Sequence, residues 1–387
     1  MQSSMMHTNQ RAASQNEGSE VGQETLPSRF PSLDGWRAVS ILMVLGEHSI
    51  YTYDCPPRTS RVLGAIFDGS LGVRFFFVIS GFLITYLLLK EHTETGSLNV
   101  KGFYARRALR ILPVYFAFLA VVFALQLFTR FHQPKIAWLG NLTFTTNFLP
   151  LSWTTAHLWS LAVEEQFYLL WPILLCFVGL QNTRRILGLL CVPIVLAPIC
   201  RAISHAGVSA ASARPLFQTY SSLNQFDALS IGCMAAVLFV RYYDRLPRIF
   251  DRFGGIICLT GCVFVLIPQM LIKAFVAESF TATFAATFQS FGFVFLLLQS
   301  ALWPKIYSPL NWRIVRQIGV LSYSIYIWQM LFCTDPSVYG LPHVWFLSFH
   351  GWWFAVLLVA LCSYYLLERP LMALRSRFRP SPLDPGL

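Results

Sequence analysis

The sequence predicts an all-α polytopic membrane protein with about ten transmembrane helices. Of its 387 residues, 55% are hydrophobic and 12% are charged, whereas a soluble globular domain has about 25% charged residues. Apolar runs of about 20 residues recur along the chain, and each is long enough to cross a bilayer. These runs are continuous and do not alternate with polar residues, which excludes a transmembrane β-barrel.

The apolar runs define the order of the elements. Residues 1–30 are rich in Ser, Gln, Glu and Asn and lack an apolar run, so they are predicted to be a disordered cytoplasmic tail. Residues 31–370 are predicted to form the transmembrane domain, and residues 371–387 a basic, Pro-containing cytoplasmic tail. The predicted spans are residues 36–53, 70–89, 111–130, 157–179, 185–204, 222–240, 254–273, 281–302, 314–334 and 350–367.

Lys and Arg are distributed unevenly between the two predicted sides of the membrane. Of the 29 basic residues, 21 fall on the side that holds both termini and seven on the other, while Arg74 lies within the second span. Cytoplasmic loops carry the excess of Lys and Arg, so both termini are predicted to be cytoplasmic. The net charge of +11 is thereby explained by membrane topology, and no nucleic-acid partner is predicted.

The first span contains ionisable residues that indicate a functional site. Arg37 and His48 are eleven residues apart, which places them on one helix face, about 16 Å apart along the axis. Ionisable groups in the hydrocarbon region are costly unless they face a cavity or a partner, so they indicate function. For Arg37 alone, the simpler interpretation is a side chain that extends to the membrane surface. His48 is predicted to be functional.

Polar side chains from several other spans are predicted to reach a similar depth in the outer half of the membrane. Together with His48 they predict a polar cavity. The alternative is a network of ion pairs that fixes helix packing, and for Arg74 and Asp227 this alternative is favoured. The residues that accompany His48 are Arg74, Glu164, Glu165, Asp227 and Gln329.

The start of the third span carries three closely spaced guanidinium groups, from Arg106, Arg107 and Arg110. Arginine binds phosphate groups in a bidentate manner, so this cluster predicts a cytoplasmic site for a phosphorylated donor. Ordinary anchoring of a helix by positive charges explains any one of the three equally well.

Structural roles are predicted for four further residues. Ser80 and Gly81 are small enough to permit close approach of two helices. Glu368 and Pro370 are predicted to end the last span, where the carboxylate can pair with a basic neighbour. No metal site is predicted, because the cysteines lie mostly in apolar runs without His or acidic neighbours.

These motifs resemble those of membrane acyltransferase family three, whose bacterial members O-acylate polysaccharides and related glycans. The resemblance runs in family order through residues 33–370, nearly the whole membrane region. It is carried by the pair Arg37 and His48 and by the segments 72–84, 106–113, 160–172, 226–232 and 363–370.

The resemblance implies an integral O-acyltransferase of the bacterial inner membrane. An acyl group, acetyl by default, would move from acyl-CoA at the cytoplasmic side to a hydroxyl of a glycan or glycolipid. Acyl-CoA would be a co-substrate, with the lipid bilayer as the other partner and no bound cofactor.

Catalytic roles follow from this hypothesis. His48 would abstract a proton from the acceptor hydroxyl or become transiently acylated, and Glu164 or Glu165 would orient it. Adjacent helix positions point about 100° apart, so only one of the two carboxylates is expected to act. The residues predicted to bind donor or substrate are Arg37, Arg74, Arg106, Arg107, Arg110, Asp227, Tyr326 and Gln329.

One segment departs from the resembled family. Residues 322–329 often end in His in that family but end in Gln329 here, and Gln does not exchange protons at neutral pH. An inactive relative that acts as a membrane partner is therefore one alternative. A transporter or flippase is another, although the chain lacks the paired Gly- or Pro-broken segments of inverted repeats. Some family members carry a secreted hydrolase-like domain after the last span, and none is expected here.

Overall fold

The structure is a computed structural model that describes residues 26–207 and 220–378. These residues form ten long helices, joined by short helices and loops, without a β-sheet. Most of the two predicted tails lies outside the described residues, as do Arg11, Arg214 and Arg379 of the topology count. Helices α1 to α10 are Pro31–His48, Gly69–Thr95, Val100–Phe128, Leu158–Val178, Thr183–His205, Ser222–Arg241, Leu246–Lys273, Ala286–Leu302, Arg313–Phe332 and Phe349–Ser363.

Eight helices in the described part of the chain are long and apolar enough to cross a membrane. The predicted all-α polytopic fold is therefore confirmed. The two long helices outside this set are α1, with Asp34, Arg37 and Glu47, and α9, with several Ser, Tyr and Gln residues. They pack closely against each other. On outward-facing surfaces large apolar side chains are exposed, as Phe128 and Phe177 are to 85%, which suits contact with lipid.

Contacts between helices define two ends of the bundle. Helices α1 and α9 are parallel, because Gly319 lies beside Asp34 at one end and Gln329 bonds to His48 at the other. Helix α2 runs in the opposite direction, since Gly69 lies beside Glu47. The end of the bundle where α1 begins is called the basic end, and the end that holds His48 is called the histidine end.

The closest approach of two helices occurs between α2 and α6. A Cβ atom at Gly81 would overlap the carbonyl oxygen of Leu229, and one at Gly232 would overlap that of Val78. The two glycines therefore allow backbone-to-backbone packing at a helix crossing. This crossing lies in the interior of the bundle, where α2 contributes much of the hydrophobic core.

Substituting Gly81 with alanine is expected to lower the free energy of unfolding by about 1–3 kcal/mol, because the added methyl group overpacks the crossing. A lower thermal midpoint of the purified protein in detergent would report this loss. The matched control is Gly188→Ala in α5, where a Cβ atom meets open space. This control is expected to keep or raise the midpoint, since alanine favours the helix by up to about 1 kcal/mol. Equal midpoints for the two variants would contradict the prediction.

The last residues of the predicted N-terminal tail are part of the folded bundle. The carbonyl oxygen of Pro27 accepts hydrogen bonds from the Tyr86 hydroxyl and, at 3.2 Å, from Lys90 Nζ. Phe30 is buried against the rings of Phe82 and Phe239. The ordered domain therefore begins before Pro31, because this short apolar segment covers α2 and α6.

The C-terminal end of the last helix differs from the prediction. Pro370 does not end the helix, since helical turns run without interruption from Phe349 through Pro370. The π-helical turn Tyr364–Glu368 precedes it, and such local adjustments accommodate proline within a helix. Helical turns continue through Phe378. Glu368 is buried and accepts a hydrogen bond from Ser324 Oγ at 2.9 Å. Its hydrogen-bond partner is therefore a hydroxyl of α9, and the basic neighbours that act on its charge are Arg110, Arg37 and Arg375.

Candidate functional site

A cavity of about 230 Å³ lies between α1, α2, α3, α4 and α9, and is called the basic cavity. Its lining extends along α2 from Leu87 to Val73, about 21 Å at 1.5 Å per residue. Three guanidinium groups line it, from Arg37, Arg107 and Arg110. A concentration of positive charge in a partly apolar cavity suits a ligand with anionic groups and an apolar arm.

Glu164 supplies the negative charge in the basic cavity. Its carboxylate accepts hydrogen bonds from Ser80 Oγ at 3.0 Å and from the Tyr168 hydroxyl at 3.1 Å. The guanidinium of Arg107 lies 4.9 Å from the centre of the Tyr168 ring, in cation–π contact. Glu165 does not line the cavity, and its Oε1 atom is buried without a hydrogen-bond partner.

Arg106 is turned away from the other two arginines of α3. Its guanidinium forms a 2.7 Å ion pair with Glu91 and also donates to the carbonyl oxygen of Phe378. It does not line the basic cavity. Neighbouring positions on a helix point about 100° apart, so Arg106 faces the C-terminal turns while Arg107 faces inward. The predicted donor-binding role of Arg106 therefore has no support in this geometry.

A second cavity, of about 290 Å³, lies at the histidine end and is called the histidine cavity. It contains Glu47 and His48 from the end of α1, together with His157. Much of its remaining wall is aromatic, which gives flat apolar faces with polar edges. The aromatic residues outside α9 are Tyr51, Trp153, Trp159 and Tyr220.

The ring of His48 is held by Gln329. The Nδ1 atom lies 3.1 Å from Gln329 Oε1, and an acceptor at this distance places the proton on Nδ1 and the lone pair on Nε2. Neither Glu164 nor Glu165 contacts the ring, so the expected orienting carboxylate is replaced by an amide from α9. Gln329 thus occupies the position that orients the His48 ring, without itself exchanging protons.

Glu47 and His157 of the histidine cavity are polar residues that were not assigned a role from the sequence. Glu47 accepts a hydrogen bond from the backbone N–H of Gly69 and thereby caps α2. His157 Nε2 donates to the carbonyl oxygen of Ile327 at 3.0 Å, and its Nδ1 is buried without a partner. Their sequence signal was present, since Glu47 adjoins His48 and His157 opens the fourth predicted span.

Arg74 and Asp227 line neither of these two cavities. The partner of Asp227 is Arg201, at 2.8 Å, with a further hydrogen bond from Thr287 at 2.6 Å. The ion pairing favoured for Asp227 is therefore present, with Arg201 as its partner, whereas Arg74 is in no salt bridge among the described residues. Arg201 was counted with the basic residues of the side opposite the termini, and the structure places it within α5, which continues to His205.

The two cavities meet at Val73 and Tyr326, which line both of them. The Tyr326 hydroxyl is 2.6 Å from Ser160 Oγ and donates to the carbonyl oxygen of His157 at 3.0 Å. These bonds hold the side chain of Tyr326, which belongs to α9, against the first turn of α4. The basic cavity and the histidine cavity are thus adjacent chambers with a thin common wall.

Comparison with known proteins adds an independent observation. Peptidoglycan O-acetyltransferase OatA of Listeria monocytogenes is 28% identical, over 81% of this chain and 51% of that protein. The putative peptidoglycan O-acetyltransferase YrhL of Bacillus subtilis is 27% identical, over 88% of this chain and 55% of that protein. The chain therefore spans about half the length of these two relatives.

A shorter similarity and one negative result complete the comparison. A putative O-acetyltransferase of Staphylococcus aureus is 34% identical over 40% of this chain and 26% of that protein. No solved structure shows a significant match. The family described as Acyltransferase domain matches residues 30–379, which include all ten long helices. The resemblance read from the motifs is confirmed: this multi-pass membrane protein belongs to that acyltransferase family.

Proposed function

We propose that the protein is an O-acetyltransferase of the bacterial cytoplasmic membrane that transfers acetyl from acetyl-CoA to a hydroxyl of a cell-wall glycan such as peptidoglycan. One observation carries the proposal: a cavity with three arginines and a cavity with a polarised histidine share a wall. The names of the two long relatives supply the acetyl group and the acceptor class. Basic loops cluster at the basic end, so this end faces the cytosol.

The basic cavity is the proposed donor site. Phosphates of coenzyme A would bind Arg107 and Arg110, whose planar guanidinium groups donate two hydrogen bonds to one phosphate. Arg37 lines the same cavity from α1. The thioester arm would then extend toward the common wall, about 12 Å from the level of Tyr168 to that of Ser160 along α4.

The histidine cavity is the proposed acceptor site. A sugar ring has apolar C–H faces that pack against aromatic side chains, here Trp153, Trp159 and Tyr220. Its hydroxyl would lie near Nε2 of His48. No other ring nitrogen in the cavity is oriented by a side-chain acceptor, since His157 bonds to a backbone carbonyl.

The reaction balances as a direct transfer. The acceptor oxygen attacks the thioester carbonyl carbon, a C–O bond forms and the C–S bond breaks. His48 Nε2 takes the hydroxyl proton and passes it to the leaving thiolate, so the products are an ester and free coenzyme A. Gln329 keeps the ring of His48 in the tautomer that accepts this proton.

The proposal is tested with purified protein in liposomes, acetyl-CoA and N-acetylglucosamine oligosaccharides. The expected result is release of free thiol together with oligosaccharides that gain the mass of one acetyl group. Coenzyme A release at the rate of protein-free liposomes, with unmodified oligosaccharides, would contradict the donor assignment. Thiol release without a modified sugar would keep the donor and reject this acceptor.

A further inference from the structure

The common wall between the two cavities consists of two side chains. Among the described residues, Val73 of α2 and Tyr326 of α9 are the ones that line both the basic cavity and the histidine cavity. Every route from the arginines to His48 through these cavities therefore passes between them. In this structure the basic cavity and the histidine cavity are two separate chambers.

Both side chains are held in place. The Tyr326 hydroxyl bonds to Ser160 Oγ and to the carbonyl oxygen of His157, at 2.6 and 3.0 Å. Its ring is flanked by Phe76, with ring centres 6.4 Å apart, and by the ring of His157, at 5.5 Å. Val73 is 7% exposed, and a β-branched side chain in a helix has one strongly preferred rotamer. The width of the passage is thus set by fixed surfaces.

We infer that Val73 and Tyr326 determine the largest acyl group that this protein transfers. The inference rests on the proposed function. During transfer the acyl carbon exchanges its bond to sulfur for a bond to the acceptor oxygen, while the hydroxyl proton ends on the thiol. Apart from this proton, the acyl group is the part that has to cross the wall, because the phosphates stay at the arginines and the acceptor stays at His48.

Chain-length selectivity follows from this arrangement. An acetyl group presents one methyl beyond the carbonyl carbon, whereas a butyryl group presents three carbons. Replacing Val73 with alanine removes two methyl groups from the wall and leaves room for the longer chain. A difference of one methylene group in an apolar pocket changes rates by about 10- to 200-fold.

The test compares acetyl-CoA with butyryl-CoA as donors for the purified protein, by the rate of thiol release with N-acetylglucosamine oligosaccharides. The unaltered protein is expected to favour acetyl. Val73→Ala is expected to shift the ratio of the two rates toward butyryl by about 10-fold. Val73→Leu is expected to slow both donors while leaving their Kd values unchanged.

The matched control is Val78→Ala, the same change on the same helix at a buried position that lines neither cavity. Its rate ratio should equal that of the unaltered protein. If Val73→Ala does not fold, Tyr326→Phe, which loses both hydroxyl contacts, is expected to shift the ratio in the same direction. An unchanged ratio in a folded wall variant, or an equal shift in Val78→Ala, would overturn the inference alone. No thiol release by the unaltered protein would reject the proposed function itself.

Discussion

Replacing His48 with alanine is expected to lower the rate of acetyl transfer by about 10²- to 10⁴-fold, the usual contribution of a general base. The variant loses the Nε2 atom, whose lone pair is free to accept a proton because the ring proton is on Nδ1, in the bond to Gln329. Donor binding should persist, because the arginines lie in the other cavity. The measurement is thiol release at saturating acetyl-CoA, together with the Kd of the donor.

Two further variants separate chemistry from packing. His48→Gln keeps a planar hydrogen-bonding group of similar size but does not exchange protons, so it should be as slow as the alanine variant. His132→Ala removes an exposed histidine that lines neither cavity, and its rate should stay unchanged. Full turnover in both His48 variants would remove this residue from the mechanism.

Arg107→Ala and Arg110→Ala are each expected to weaken acetyl-CoA binding by about 10- to 100-fold. A charge-assisted hydrogen bond contributes about 1.5–3 kcal/mol, and each 1.4 kcal/mol is a factor of ten. The rate at saturating donor should change much less, since neither residue lies in the histidine cavity. The Kd from equilibrium binding and the KM and kcat from thiol release would measure this separation.

Arg106→Ala is the matched control for the two donor-site variants. It removes the same group from the same helix, but its guanidinium is bound to Glu91 and to the carbonyl oxygen of Phe378. Its Kd for acetyl-CoA should equal that of the unaltered protein. Equal losses of affinity in all three variants would show that net basic charge, and not the basic cavity, attracts the donor.

The fold was predictable because hydropathy shows where the helices lie and the basic residues show how they are oriented in the membrane. Long apolar runs define helices in a bilayer, and the distribution of Lys and Arg requires an even number of spans when both termini share one side. The parallel arrangement of α1 and α9, and the opposite direction of α2, agree with the predicted alternation. The sequence also placed Arg37 and His48 on one helix face, and the structure puts them in adjacent cavities.

The rotation of each helix about its axis was not predictable. A single sequence shows that Arg106 and Arg107 are neighbours, but it does not show which of them faces the bundle. The same applies to Glu164, which lines the basic cavity, and Glu165, which does not. Rotation is decided by the summed packing of a whole helix against its neighbours, which local spacing does not encode.

The hydrogen-bond and ion-pair partners of buried polar groups were also not predictable from the sequence. Asp227 pairs with Arg201, and His48 pairs with Gln329, 281 residues away in the chain. The departure at Gln329 could be interpreted as a loss of function, because a proton-exchanging residue was expected there. The structure instead gives its side-chain oxygen a contact that orients the ring of His48.

The close packing of α1 against α9 has a consequence for how the chain is made. These two helices fall outside the set that is long and apolar enough to cross a membrane by length and composition alone, and the helices against which α1 packs all follow it in the chain. Ribosomes add about 5–20 residues per second. The separation of 281 positions between His48 and Gln329 therefore corresponds to roughly 15–60 s of synthesis. Throughout that interval the His48 ring of the nascent chain lacks its hydrogen-bond partner. The bond to Gln329 can form only when the polypeptide is nearly finished.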